Sequence, residues 1–109
     1  MSYRVTHCSG ATEKDFPVDR FGELLDELVS ADSEHFDISV CHESEWCLSL
    51  YRSHVAVLEQ LEGGASMHSA PLTRDEALSL MAKVARGDIE ELLTFPWKPG
   101  YPPAMPVLS

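Results

Sequence analysis

Two runs of strict alternation lie at the centre of the chain. Residues 36–42 and 46–52 each place apolar and polar side chains on opposite sides, and Glu43-Ser44-Glu45 between them suits a three-residue hairpin loop, although it lacks the glycine usual there. With that loop, Ile38 faces Leu50, Val40 faces Leu48 and His42 faces Trp46 on one side. Asp37 faces Tyr51, Ser39 faces Ser49 and Cys41 faces Cys47 on the other. The register therefore predicts one apolar and one polar face. Residues 55–61 read as a third strand, Glu62-Gly63-Gly64 as a turn, and residues 65–70 as a weaker fourth strand. An opening strand is predicted over 3–8, where Tyr3, Val5 and His7 oppose Arg4, Thr6 and Cys8 ahead of the Ser9-Gly10 breaker.

The period changes on either side of this meander. Phe21, Leu24, Leu25, Leu28 and Val29 recur at i, i+3, i+4, i+7 and i+8, with Asp19 placed to cap them, which predicts a helix with one buried stripe. Its opposite face carries Glu23, Asp26 and Glu27. Thr73 with Glu76 three residues later has the spacing of a capping box. Ala77, Leu80, Met81 and Val84 supply the stripe behind it, and Gly87 stops the helix. Asp88 and Glu91 repeat the capping spacing, predicting a short helical segment over 88–95 that buries Ile89, Leu92 and Leu93. The five prolines from Pro96 onward preclude regular structure.

The assembled expectation is a single α+β domain: an antiparallel meander of three to five strands with two main helices packed on one face. Residues 1–95 form the folded core, and 96–109 a proline-rich arm whose Trp97 and Tyr101 pack back on the domain. The uncovered face presents Asp37, Ser39, Cys41, Cys47, Ser49 and Tyr51. An apolar content of 44% with 24% charged residues is ordinary for a globular chain, so no disulfide framework is needed to hold it. No run approaches the ~18 apolar residues of a membrane helix, and the start lacks a signal-like apolar segment; a cytoplasmic location is expected. Cys8, Cys41 and Cys47 are accordingly expected as reduced thiols. A Cys41–Cys47 bond is geometrically allowed if the two are opposed, but the cytosol disfavours it.

Charge adds the next constraint. Eight Lys and Arg stand against eighteen Asp and Glu, a net charge of -10. Between Phe21 and Tyr51 there are eight acids (Glu23, Asp26, Glu27, Asp32, Glu34, Asp37, Glu43, Glu45) and no Lys or Arg. Such a chain does not suit nucleic acid or an anionic membrane as partner. Two readings of the acids stand side by side, a solvated surface that maintains solubility and a field that steers a basic partner.

Candidate chemistry is sparse. Cys41 and Cys47, with Cys8 or a histidine, match no zinc-site spacing, and Cys41 and His42, adjacent on one strand, point to opposite faces. Neither metal nor cofactor is expected. Five histidines (His7, His35, His42, His54, His68) scatter without a nucleophile–base–orienter pattern, and Gly63-Gly64 precedes a strand rather than opening a helix as an anion cradle. The chain is therefore expected not to be an enzyme. His42 opposite Trp46 reads as a cross-strand stack, and the PxxP spacing of the tail as part of a packing arm.

Pro71-Leu72-Thr73-Arg74-Asp75-Glu76-Ala77-Leu78 opening a helix, then Arg86-Gly87-Asp88 and Phe95-Pro96-Trp97, is similar in pattern to the ending of small immunity proteins of bacterial polymorphic toxin systems. The order of elements agrees over about residues 21–97; the meander here is shorter with few glycines, and the proline-rich tail is additional. The resemblance implies a protein that neutralises a cognate toxin, of nuclease or deaminase type, by covering its basic active-site cleft. On that reading the partner is a basic toxin domain, bound by a monomer or weak dimer. The contact residues are Glu23, Asp26, Glu27, Asp37, Glu43 and Glu45, with Trp46 and Tyr51 as anchors. Two other classes stay open: a secretion chaperone using strand 55–61 as an edge, and a small enzyme with a Cys/His site in a deep pocket.

Overall fold

The structure, a computed structural model, describes residues 2–29, 37–51 and 54–100. Phe36, Arg52 and Tyr101, assigned above to strand ends and to the arm, lie outside the described residues, as does the side chain of Val29. In chain order the elements are β1 (Tyr3–Thr6), β2 (Thr12–Lys14), α1 (Phe21–Val29), β3 (Asp37–His42), β4 (Trp46–Tyr51), β5 (Ala56–Gln60), β6 (Ala65–His68), α2 (Arg74–Arg86), α3 (Ile89–Leu92) and β7 (Lys98–Pro99). Among the described residues the strands form one antiparallel sheet in the order β2-β1-β3-β4-β5-β6-β7. The expected α+β class is there, with seven strands in place of three to five.

Both additional edge strands come from stretches without a hydrophobic pattern. All three residues of β2 are exposed, and it forms because the turn at Gly10 folds Thr12, Glu13 and Lys14 back on β1. β7 overturns the expectation that prolines preclude regular structure after Pro96. Pro99 pairs with Met67 at the sheet edge, where a missing N–H costs no ladder bond. Hydrogen bonds from Gly100 N–H to the Ser66 carbonyl (3.1 Å) and between His68 Nδ1 and the Gly100 carbonyl (2.8 Å) hold it there. β5 lies inside the sheet between β4 and β6, so strand 55–61 offers no free edge.

The central hairpin has the register expected from its alternation, with Asp37 opposite Tyr51, Ile38 opposite Leu50, Ser39 opposite Ser49, Val40 opposite Leu48 and Cys41 opposite Cys47. Its loop closes without glycine because Glu45 itself takes a left-handed conformation (φ 71°). The cysteines correct a second expectation: Cys41 and Cys47 are joined by a disulfide, while Cys8 takes no part in one. Register brings the pair together, with Cα atoms 4.0 Å apart. His42 pairs with Tyr3 on the β1 side, the β3–β4 register runs on from it toward Trp46, and its ring turns inward. There Nδ1 accepts from the Ser44 N–H (3.1 Å) and lies 2.8 Å from the Ser44 hydroxyl, which ties the ring to the loop.

α1 and α2 cover the face formed by Val5, Ile38, Val40, Leu48, Leu50 and Leu58, all buried. Leu80, Met81 and Val84 of α2 are fully buried against it, each worth roughly 1.5–3 kcal/mol of apolar burial. α2 begins with the expected capping box, Thr73 Oγ1 accepting from the Glu76 N–H (3.2 Å) and Glu76 Oε1 from the Thr73 N–H (2.9 Å), and stops at Gly87 (φ 75°). Other local expectations change. Asp19 does not cap α1 but lies in a 3-10 turn, Val18–Arg20, that runs into it. Asp88 precedes α3 without a side-chain cap and pairs with Arg86 instead (3.0 Å). Leu92 is buried, whereas Leu93 is 42% exposed.

Candidate partner-binding surface

The expected contact residues fall into three places. Glu23, Asp26 and Glu27 stand on α1, over the helix-covered side of the sheet. Asp37 and Tyr51 face each other at one end of the central hairpin. Glu43, Glu45 and Trp46 sit at the other end, five residues along the strand or roughly 17 Å away at about 3.4 Å per residue.

Each α1 carboxylate is met by a group from this same chain. Arg20 holds Glu23 (2.9 Å), and that hydrogen-bonded pair draws the Glu23 carboxyl below its ordinary range. Arg74, from the first turn of α2, donates to Asp26 (3.0 Å) and to the Gly22 carbonyl (3.1 Å). Glu27 receives the His7 Nδ1 (2.6 Å) and the Cys8 N–H (3.1 Å), and His7 Nε2 meets Glu13 of β2. With a carboxylate on each ring nitrogen, His7 titrates above its ordinary value: the hydrogen bond to Glu27 leads, partial burial opposes, and Glu13 adds to the rise. The ring also stands edge-on to Phe16, centroids 5.5 Å apart. These contacts lace β1, β2 and α1 together and offset much of the negative charge of the helix face. Exposed pairs such as Arg74–Asp26 add little stability, about 0–1 kcal/mol each.

The end bearing the hairpin loop is built differently. Here the β3–β4 loop and the β5–β6 turn lie side by side, joined by the Leu61 N–H to the Glu45 carbonyl (3.0 Å) and Gln60 Nε2 to the Ser44 carbonyl (3.2 Å). Trp46 is half-buried against the core, and Leu61, bonded through its backbone to Glu45, is 52% exposed. Glu43 and Glu62 are exposed, Glu45 is half-buried, and no cation among the described residues forms an ion pair with any of the three. Arg4 and Lys14, directly opposed on β1 and β2, border this end near Glu43. The result is a polar, net acidic loop end that carries Trp46 and, on the neighbouring turn, the exposed Leu61. Leu61 and Glu62 were not among the expected contact residues. The Glu62-Gly63-Gly64 turn was visible in the pattern, but its position beside the other loop is a product of the β4–β5 pairing, Trp46 opposite Gln60.

At the opposite end, burial raises the Asp37 carboxyl above its ordinary range. A cavity of about 550 Å³ opens there between α1 and the start of α2, floored by Leu25, Leu28, Leu50 and Leu72 with Arg74 and His54 at its mouth. Arg74 is already committed to Asp26 and Gly22. Among the described residues no cluster of three or more His, Cys, Asp or Glu side chains is arranged to hold a metal ion, and no helix is long and apolar enough to cross a membrane. Compared with family models, curated proteins and solved structures, the chain finds no match.

Proposed function

We propose that this domain binds a basic protein through its hairpin end, and that the partner is a toxin whose cationic cleft the acidic rim occupies. One observation carries the reading: Glu43, Glu45 and Glu62 flank Trp46 and the exposed Leu61 without ion pairs among the described residues, whereas the α1 acids are matched within the chain. Aromatic and aliphatic anchors inside a charged rim are the usual anatomy of a protein interface. A net charge of -10 adds long-range attraction for a polycationic partner and repels the nucleic acid such a partner acts on. The resemblance of the α2 and Phe95-Pro96-Trp97 region to immunity proteins supplies the biological setting, and neither metal nor cofactor enters the mechanism. The interface requires no second copy, in keeping with a monomer or weak dimer.

Cytoplasmic residence belongs to the same proposal. The Cys41–Cys47 bond pulls the other way, since disulfides persist in oxidising compartments; the thiol state of protein taken from cells decides between them. The proposal is tested by expressing the product of the neighbouring reading frame in a bacterial host with and without this chain. Growth arrest relieved by the parent chain, and at least tenfold less well by the E43K/E45K/E62K variant, is the expected result. A neighbouring product that is harmless, or equal rescue by parent and variant, overturns it.

A further inference from the structure

We propose that the Cys41–Cys47 disulfide is a redox latch that holds the partner-binding loop in shape; the regulatory consequence rests on the function proposed above, while the latch itself stands on the structure alone. The bond joins directly opposed residues at the base of the Glu43-Ser44-Glu45 loop, one residue before His42 on one strand and one after Trp46 on the other. The loop it closes carries two of the three rim carboxylates and leads into the Trp46 anchor.

Several features make the loop dependent on its base. Glu45 holds a left-handed backbone that a non-glycine residue adopts at a cost. Besides the disulfide, the loop is held by Glu45 N–H to the His42 carbonyl (2.9 Å), Glu43 N–H to the Ser2 carbonyl (3.0 Å), the Ser2 hydroxyl to Glu43 (3.5 Å), the Ser44 N–H and hydroxyl at the His42 ring, and the two links to the β5–β6 turn. Cys41 and Cys47 face the side of the sheet away from α1 and α2, so neither contributes to the core cluster that stabilises the fold. Opening the bond therefore removes a constraint on the loop without removing core packing. Access is asymmetric, since Cys41 is half-buried and Cys47 only 5% exposed. A dithiol reductant attacks as thiolate at Cys41 Sγ, and the S–S bond breaks toward Cys47, which leaves as thiolate and takes up a proton. The second thiol of the reductant then displaces Cys41, so that two protein thiols form as the dithiol becomes a disulfide. In the reduced state the loop samples conformations that part Glu43 and Glu45 from Trp46; in the oxidised state the rim is preorganised.

The test needs no partner. Hydrogen exchange is followed by mass spectrometry on the full chain, oxidised and then reduced with dithiothreitol in native buffer, with a Cys41→Ser/Cys47→Ser double variant alongside. At least tenfold faster exchange over residues 43–46 in both the reduced protein and the variant, with α2 still protected as a folded helix, is the expected outcome. Unchanged exchange over 43–46, or α2 exchanging as an unfolded chain, overturns the latch. A bond that dithiothreitol opens only in denaturant overturns it too. Because these readouts are made on the free protein, a failed latch leaves the binding reading intact, and failed rescue of the toxin leaves the latch intact.

Discussion

Replacing Gly87 with alanine tests how the end of α2 is locked to the sheet. Gly87 ends the helix at φ 75°, where an L side chain costs about 1–2 kcal/mol. A Cβ built there would lie 2.8 Å from His42 Nε2 and 3.1 Å from Cε1. The ring has little freedom to yield, because it is 5% exposed and tied through Nδ1 to Ser44. Forcing that overlap adds about 1–3 kcal/mol, for a total of roughly 2–5 kcal/mol, or about 8–20 °C in Tm for a domain of this size. Urea and thermal unfolding of the parent, G87A, H42A and the double variant separate the two terms. With the ring gone, G87A retains only its backbone cost, so the double-mutant cycle returns a coupling of at least about 1 kcal/mol. A G87A protein within about 0.5 kcal/mol of the parent, or the same G87A cost with and without His42, refutes the close approach.

Other consequences are more local. Thr73→Ala removes the capping box of α2 and lowers stability by about 1 kcal/mol in chemical denaturation, with Thr73→Ser close to the parent. His7 is held above its ordinary value, so its contribution is fully present below the unfolded value of about 6.5 and is lost as pH rises through the higher folded value. Tm of the parent therefore falls as pH rises above about 6.5 toward the folded value, and His7→Gln flattens that slope; a parallel slope in both proteins contradicts the assignment. Alkylation of protein purified without reductant labels one thiol, Cys8, under denaturing conditions and three after reduction. Removing the bond costs about 2 kcal/mol, because the loop it closes is short. Three labelled thiols in protein quenched directly from cells mark a reducing compartment.

What could be read from the residues follows the physics that produced each element. Alternation in β3 and β4 carries the hairpin register because a one-residue slip would send Val40 and Leu48 to the wrong face. The same pairing brings Cys41 to Cys47, but whether the thiols join depends on surroundings that residue order does not encode. β2 and β7 left no trace in the pattern: Thr12-Glu13-Lys14 buries nothing, and Lys98–Pro99 is two exposed residues. Likewise, the acids of α1 could be placed on one face by helical period, but not matched to Arg74 across 48 residues, since that pair exists only once α2 packs beside α1. The acidic run in the sequence thus separates into a helix face paired within the chain and a hairpin end whose acids form no ion pair among the described residues. Leu61 joins that end through the turn geometry of β5 and β6.

Hydrogen exchange on the complex with the proposed partner, the product of the neighbouring reading frame, reads the contact surface directly. Slowed exchange concentrated at residues 43–46 and 60–63, with α1 unchanged, is the result expected of a hairpin-end interface. Protection confined to α1, or to the cavity between α1 and α2, would contradict it.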